Sequence, residues 1–218
     1  MVGELEALGG ANQGGFELIR YYRDHAEAYA RDTVKVNLRP LHACFLPHVA
    51  KGGWVLDAGC GSGRDALAFM QAGHRVAAFD ASPELASLAA KHTGLDVRVL
   101  DFLSLADVGQ LGLLTGTRFD GIWACASLLH VAEADQPEAW ERLWRFLAPG
   151  GVVYVSYKRG QGERVDELGR PFTDATEQRL MAWVEQLPGV TQVRTWVTAD
   201  QRQGQTHAWL NALLQRES

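Results

Sequence analysis

The chain has 218 residues, 47% of them apolar, which is enough for one substantial core and a single domain. A formal charge of −5 and a pI near 5.8 argue against a dedicated nucleic-acid binder, which carries a basic face, so no nucleic-acid partner is expected. No run approaches the roughly 18 apolar residues of a membrane span, and no basic region followed by an apolar one opens the chain, so the expectation is a cytoplasmic protein with no membrane partner.

Residues 1–15 contain five glycines and read as a flexible leader to a single domain over 16–218. From Phe16 to about Thr33 the spacing is helical and puts Ile19, Tyr22, Ala26 and Tyr29 on one face. A second helix is predicted over 38–49, limited by Pro40 and Pro47, so that 16–50 forms a helical cap. Strands and helices then alternate: strand 54–58, helix 64–72, strand 75–80, helix 83–92, strands 97–100 and 119–125, helix 136–147, strand 152–157. Such alternation implies a parallel sheet covered on both faces. Helix 136–147 opens on Asp135 as N-cap with Pro137 in its first turn, and Trp140, Leu143, Trp144 and Leu147 form a core-facing stripe. Residues 158–173, rich in glycine and charge, read as an inserted loop over the ligand-binding edge of the sheet, before a helix resumes near Asp174. Two β segments follow at 190–197 and 206–214. On the second, Trp209, Asn211 and Leu213 share a face, with Trp209 read as core and Asn211 as a brace for the inserted loop.

The most informative stretch is Asp57-Ala58-Gly59-Cys60-Gly61-Ser62-Gly63, set between the first strand and the helix after it. Alternate glycines permit a tight turn, let a ligand approach the main chain, and aim helix N-terminal N–H groups at a nucleoside-bearing cofactor. Asp80, at the end of the second strand and 21 residues after Gly59, is placed to accept from ribose hydroxyls. Arg64 stands where a dinucleotide turn needs a small residue, and the acid Asp57 suits an ammonium group better than a pyrophosphate. S-adenosylmethionine therefore fits better than NAD, and an NAD-dependent oxidoreductase ranks below. Cys44, Cys60 and Cys125 have no C-x-x-C spacing, so neither a disulfide framework nor a metal site is expected. Cys60 and Cys125 read as small residues lining the cofactor edge.

These residues, together with Phe79-Asp80-Ala81-Ser82, Asp101-Phe102 and Ile122-Trp123-Ala124-Cys125, resemble motifs I to IV of the class I S-adenosylmethionine-dependent methyltransferases in order and spacing. Ser127-Leu128-Leu129-His130-Val131 and Tyr154-Val155-Ser156-Tyr157-Lys158 resemble the small bacterial tellurite-resistance methyltransferases. The resemblance implies an α/β, Rossmann-like fold: a seven-stranded, mostly parallel sheet with an antiparallel last strand, helices on both faces, and a closing hairpin from 190–197 and 206–214. It also implies cofactor contacts from the backbone of Gly59, Cys60, Gly61 and Gly63, from Asp57 near the amino group, and from Asp80 with Ala81 and Ser82 at the ribose. Asp101 and Phe102 would flank the adenine, the alternative for Asp101 being a helix or loop cap. Tyr22 or Tyr29 on the first helix would close near the sulfonium, whose charge an aromatic face attracts, or else pack in the core.

Methyl transfer from a sulfonium is an in-line displacement that mainly requires alignment, with a base needed only where the attacking atom carries a proton. On the substrate side, His130 is a candidate base or a structural hydrogen-bonder. Lys158 and Arg170 are cations that either face an anionic acceptor or pair with Glu163, Asp166 or Glu167. The expected activity is methylation of a small molecule, anionic, thiol or chalcogen, with release of S-adenosylhomocysteine. Methylation of nucleic-acid bases is disfavoured because no Asn-Pro-Pro-Tyr or Asp-Pro-Pro-Tyr follows the fourth strand. A non-catalytic cofactor-binding sensor or complex subunit is the alternative. Nothing in the sequence fixes an oligomeric state.

Overall fold

A computed structural model describes residues 13–200 and 206–218. Most of the predicted leader, 1–12, lies outside these residues, whereas 13–15 already belong to the first helix. In chain order the elements are α1 (Gln13–Thr33), α2 (Arg39–Phe45), β1 (Trp54–Ala58), α3 (Arg64–Gln71), β2 (Arg75–Asp80), α4 (Pro83–Thr93), β3 (Arg98–Val99), β4 (Phe119–Cys125), α5 (Gln136–Trp144), β5 (Leu147–Lys158), β6 (Glu163–Val165), β7 (Pro171–Thr173), α6 (Glu177–Val184), β8 (Val190–Ala199) and β9 (Ala208–Arg216).

Seven strands form one sheet in the order β3-β2-β1-β4-β5-β9-β8. β1 to β5 run parallel, and β9 is antiparallel to both β5 and β8. This is the Rossmann-like sheet expected above. Alternation along the strands feeds two apolar layers. Val55, Trp123 and Tyr154 pack with Phe45 of α2 and Phe69 of α3, while Leu56, Ile122 and Val153 pack with Trp140 of α5 and Leu180 of α6. Trp123 and Tyr154 are register partners on β4 and β5, and their rings stack at 3.9 Å and 15°. Trp140, Leu143, Trp144 and Leu147 are all buried, as their spacing requires.

Several local expectations need correction. Asp135 occupies the N-cap position of α5 but makes no side-chain cap bond, because the preceding 3-10 turn Glu133–Asp135 sets it in helical rather than extended backbone. Ile19 is exposed and only Tyr22 and Ala26 of the predicted α1 face are buried, joined by Leu18, Tyr21 and Tyr29 against Leu85. The stretch read as a loop is a hairpin: β6 and β7 pair antiparallel, with Arg170 and Asp166 exchanging main-chain and side-chain bonds across its turn. Strands of three residues carrying Glu163 and Arg164 leave no apolar alternation to read. Asn211 does not brace that hairpin. Its Oδ1 accepts the Tyr154 hydroxyl at 2.7 Å, and its Nδ2 donates to Thr198 Oγ1 at 3.0 Å and to the Trp196 and Trp209 carbonyls, which ties β5, β9 and β8 together. Among the described residues no helix is long and apolar enough to cross a membrane.

Candidate functional site

The strand order reverses between β1 and β4, and a crevice opens where their carboxyl ends part. The glycine turn lies on its floor, with Gly59, Gly61 and Gly63 at φ +75°, +55° and +75°. A Cβ on Gly59 would stand 2.4 Å from that of Ser127, so the turn after β1 interlocks with the turn after β4. Ser127 completes the joint by donating to the Ala58 carbonyl at 2.7 Å. A Cβ on Gly63 would stand 3.1 Å from that of Ala89, so this glycine lets α3 approach α4. The third glycine of G-x-G-x-G thus does the packing that dinucleotide turns assign to a later position, and Arg64 is released for other contacts.

Three buried carboxylates hold the turn. Asp57 accepts the Ala66 N–H at 2.9 Å, and burial, reinforced by nearby Asp65, pushes its carboxyl well up. Asp80 accepts the Gly61 N–H at 2.8 Å on one oxygen and the Ser82 N–H at 2.9 Å on the other, and burial raises its carboxyl despite these bonds. It therefore braces the glycine turn from the neighbouring strand, and two carboxylate oxygens with two lone pairs each retain capacity for further donors. Ser82 caps α4 by accepting from Leu85 N–H, and Ala81 lies between them.

Asp65 was invisible as a functional residue in the sequence. Its two oxygens receive Arg64 Nε and Nη2 at 2.9 and 2.7 Å, His42 Nε2 at 2.9 Å and Trp123 Nε1 at 3.0 Å. Burial alone would raise its carboxyl, but Arg64 and His42 outweigh that and hold it well below the ordinary range. Arg64 also donates Nη1 to the Thr33 carbonyl at 3.0 Å, which fastens the last residue of α1 to the first turn of α3.

A narrow cleft of about 120 Å³ runs from the glycine turn along the ends of β4, β5 and β9. Asp57, Gly59, Cys60, Gly61, Asp65 and Cys125 line one end; Ser156, Asn211, Thr198, Asp200 and Trp209 line the other; Tyr29, Thr33, Leu38 and Leu41 overhang it. Trp209, expected in the core, is half-buried at the cleft, with its indole N–H on Asp200 Oδ2 at 3.0 Å. Burial raises both cleft thiols, Cys125 to about 12 and Cys60 well above its usual value, as befits unreactive lining. Ala126, also on the cleft, has φ +54° and is the one non-glycine in the left-handed region among the described residues. Among the described residues no cluster is arranged to hold a metal.

The other expected residues stand apart from this cleft. Tyr22 is buried against Leu85, its ring 5.0 Å from that of Tyr29, and its phenol is close enough to Asp80 to feel its charge. Asp101 is exposed and caps its own loop, accepting the Ser104 N–H, and Phe102 is buried edge-on to Phe79. Lys158 and Arg170 both pack on Phe172 of the hairpin, at 3.8 and 5.3 Å from the ring centre, and Arg170 is paired with Asp166. His130 sits among them, with Nδ1 against the Pro171 carbonyl at 2.8 Å and Nε2 within 3.4 Å of the Tyr22 hydroxyl. Nδ1 is thereby the protonated nitrogen of the neutral ring. Enclosure, with Arg170 and Lys158 adding to it, lowers the imidazole to about 4. The folded state accordingly favours neutral His130, and the stability this contributes is full above the unfolded value near 6.5 and lost as pH falls toward 4. An NMR titration of the His130 ring is expected to find its midpoint near 4, and a midpoint above 6 would contradict this enclosure.

Comparison with known proteins agrees with this architecture. Residues 55–151, from β1 into β5, match the family model described as "Methyltransferase domain". The chain is 30% identical over 132 residues to an 18S rRNA (guanine-N(7))-methyltransferase of Schizosaccharomyces pombe, covering 59% of this chain and 45% of that protein. It is 36% identical over 100 residues to a malonyl-[acyl-carrier protein] O-methyltransferase of Pectobacterium atrosepticum, covering 45% and 36%. The chain thus spans less than half the length of these curated relatives. Among solved structures, Burkholderia thailandensis 1,6-didemethyltoxoflavin-N1-methyltransferase, with its substrate and S-adenosylhomocysteine bound, superposes with a TM-score of 0.70 at 24% identity over 94% of this chain and 87% of that one. The fold is that of the Rossmann-like methyltransferases. One relative acts on RNA, so the exclusion of nucleic acid drawn from an acidic composition does not stand.

Proposed function

We propose that this chain, whose residues 55–151 match a methyltransferase domain, binds S-adenosylmethionine on the glycine turn and transfers its methyl group to a small-molecule acceptor in the adjoining cleft. The observation that carries the reading is the crevice itself: a three-glycine turn in left-handed backbone, braced by Asp80, with Asp57 and Tyr29 on the same cleft, which continues to Ser156, Asn211 and Trp209. The residues fit the cofactor. Side chains on Gly59 or Gly61 would stand in the turn, and Asp57 accepts Ala66 N–H on Oδ2 while lining the cleft, which suits an ammonium group. Bound there, the cofactor supplies a methyl group on a sulfonium that leaves without protonation. The chain's part is to hold ribose hydroxyls at Asp80, to orient the acceptor, and to exclude water beneath α1. A cleft of about 120 Å³ favours a small acceptor over a polymer.

The finer resemblance, to tellurite-resistance enzymes, extends the acceptor panel to selenite and tellurite alongside thiols, phenols and amines, read by S-adenosylhomocysteine release. Turnover of any of them separates an enzyme from a non-catalytic sensor. For the donor, calorimetry with S-adenosylmethionine, S-adenosylhomocysteine and NAD in parallel tests the class, and tighter binding of NAD would overturn it. Asp80→Ala is expected to weaken cofactor binding by about 1–3 kcal/mol, through lost ribose bonds and a loosened Gly61. Unchanged affinity would place the ribose elsewhere.

A further inference from the structure

We propose that Arg64 is a positioning residue for the cofactor: it acts through Tyr29, whose ring it sets at the glycine turn by tying the end of α1 to the buried carboxylate of Asp65. The inference rests on the methyltransferase reading and deepens it. The tie begins at a fixed point. Trp123, fully buried on β4, and His42 of α2 both bond Asp65, so that carboxylate is held from the sheet and from a second helix. Arg64 grips it with Nε and Nη2 and leaves Nη1 for the Thr33 carbonyl at 3.0 Å. The guanidinium fork is rigid, so fixing two of its nitrogens aims the third. A cation is also favoured at the carbonyl end of a 21-residue helix.

Tyr29 lies one helical turn before Thr33, and the Thr33 hydroxyl donates to the Tyr29 carbonyl at 2.8 Å. Its half-buried ring stands on the glycine turn, since a Cβ on Gly61 would be 3.4 Å from Tyr29 Cε1. The phenol is also near enough to Arg64 for its charge to bear on the guanidinium. Tyr29, Thr33, Arg64, Gly61 and Asp57 all line the same cleft. An aromatic ring kept at that place attracts a sulfonium, and the attraction falls away if the ring drifts with the end of α1. Lysine offers a single ammonium on a flexible stem, which cannot hold Asp65 and Thr33 together in one fixed geometry.

The test is a double-mutant cycle on S-adenosylmethionine affinity, read by calorimetry on the full chain: the parent, Arg64→Lys, Tyr29→Ala, and both substitutions together. Each single variant is expected to weaken binding at least about fivefold, and Arg64→Lys to change it less than about twofold in the Tyr29→Ala background. An effect of Arg64→Lys that persists in full in that background would mean that Arg64 touches the cofactor or acts through another group, and would overturn the proposal. Unchanged affinity in Tyr29→Ala, or in a folded Arg64→Lys, would overturn it as well. Thermal melts establish folding, and should Arg64→Lys not fold, Arg64→Gln takes its place in the cycle with the same outcomes. Failure of the parent chain to bind S-adenosylmethionine would instead end the methyltransferase reading itself.

Discussion

Gly59→Ala is expected to lose S-adenosylhomocysteine binding altogether in calorimetry and to lower stability by about 2–5 kcal/mol in urea unfolding. Two separable costs add. A residue with a Cβ held at φ +75° costs about 1–2 kcal/mol. The new methyl would also stand 2.4 Å from Ser127 Cβ, and forcing the β1 and β4 turns apart costs a further 1–3 kcal/mol or so. Gly73→Ala provides the comparison. Gly73 has φ +90°, and a methyl group there would meet nothing within 4 Å, so that variant shows backbone strain alone and keeps its affinity. Equal destabilisation by the two substitutions would mean that the joint between the turns is slack.

Asp65→Asn is expected to cost about 3–5 kcal/mol near neutral pH, because it leaves a largely buried guanidinium without its countercharge. The pH dependence identifies the cause. Asp65 is held well below the usual carboxylate range in the fold, so its stabilisation is complete above about pH 4, the ordinary value, and is lost as pH falls below it. The gap between parent and variant should therefore be widest from pH 6 to 7 and narrow in acid. Asp57 works in the other direction, since burial and then Asp65 raise its carboxyl, so neutralising Asp65 returns part of the loss at neutral pH. A gap independent of pH would show that the network acts by shape and not by charge.

The sequence was most legible where backbone chemistry dictates structure. Gly59, Gly61 and Gly63 announce the turn, Val55-Leu56 and Ile122-Trp123 announce buried strands, and Ser82-Pro83 announces the start of α4; all appear in those places. What the sequence hid are properties of pairs. Nothing in Arg64-Asp65 says that His42 and Trp123 will converge on that carboxylate from 23 and 58 residues away. Lys158 and Arg170 look like an anion site because spacing carries no information about the ring of Phe172 that engages them. Trp209 reads as core by alternation, yet its strand lies beside the sheet edge where the cleft ends, so one side of its ring stays accessible.

The fastening of Thr33 by Arg64 has a mechanical consequence. α1 is pinned at its C-terminal residue, while at its middle Tyr21 and Tyr22 touch Arg170 and His130 through ring contacts and one long hydrogen bond. It is bedded along its length as well, since Tyr22 and Ala26 are buried against Leu85 of α4. A shift at any one of these supports, the Arg64 clamp, the Leu85 bed or the β6–β7 hairpin, is therefore carried along one rod to the other two.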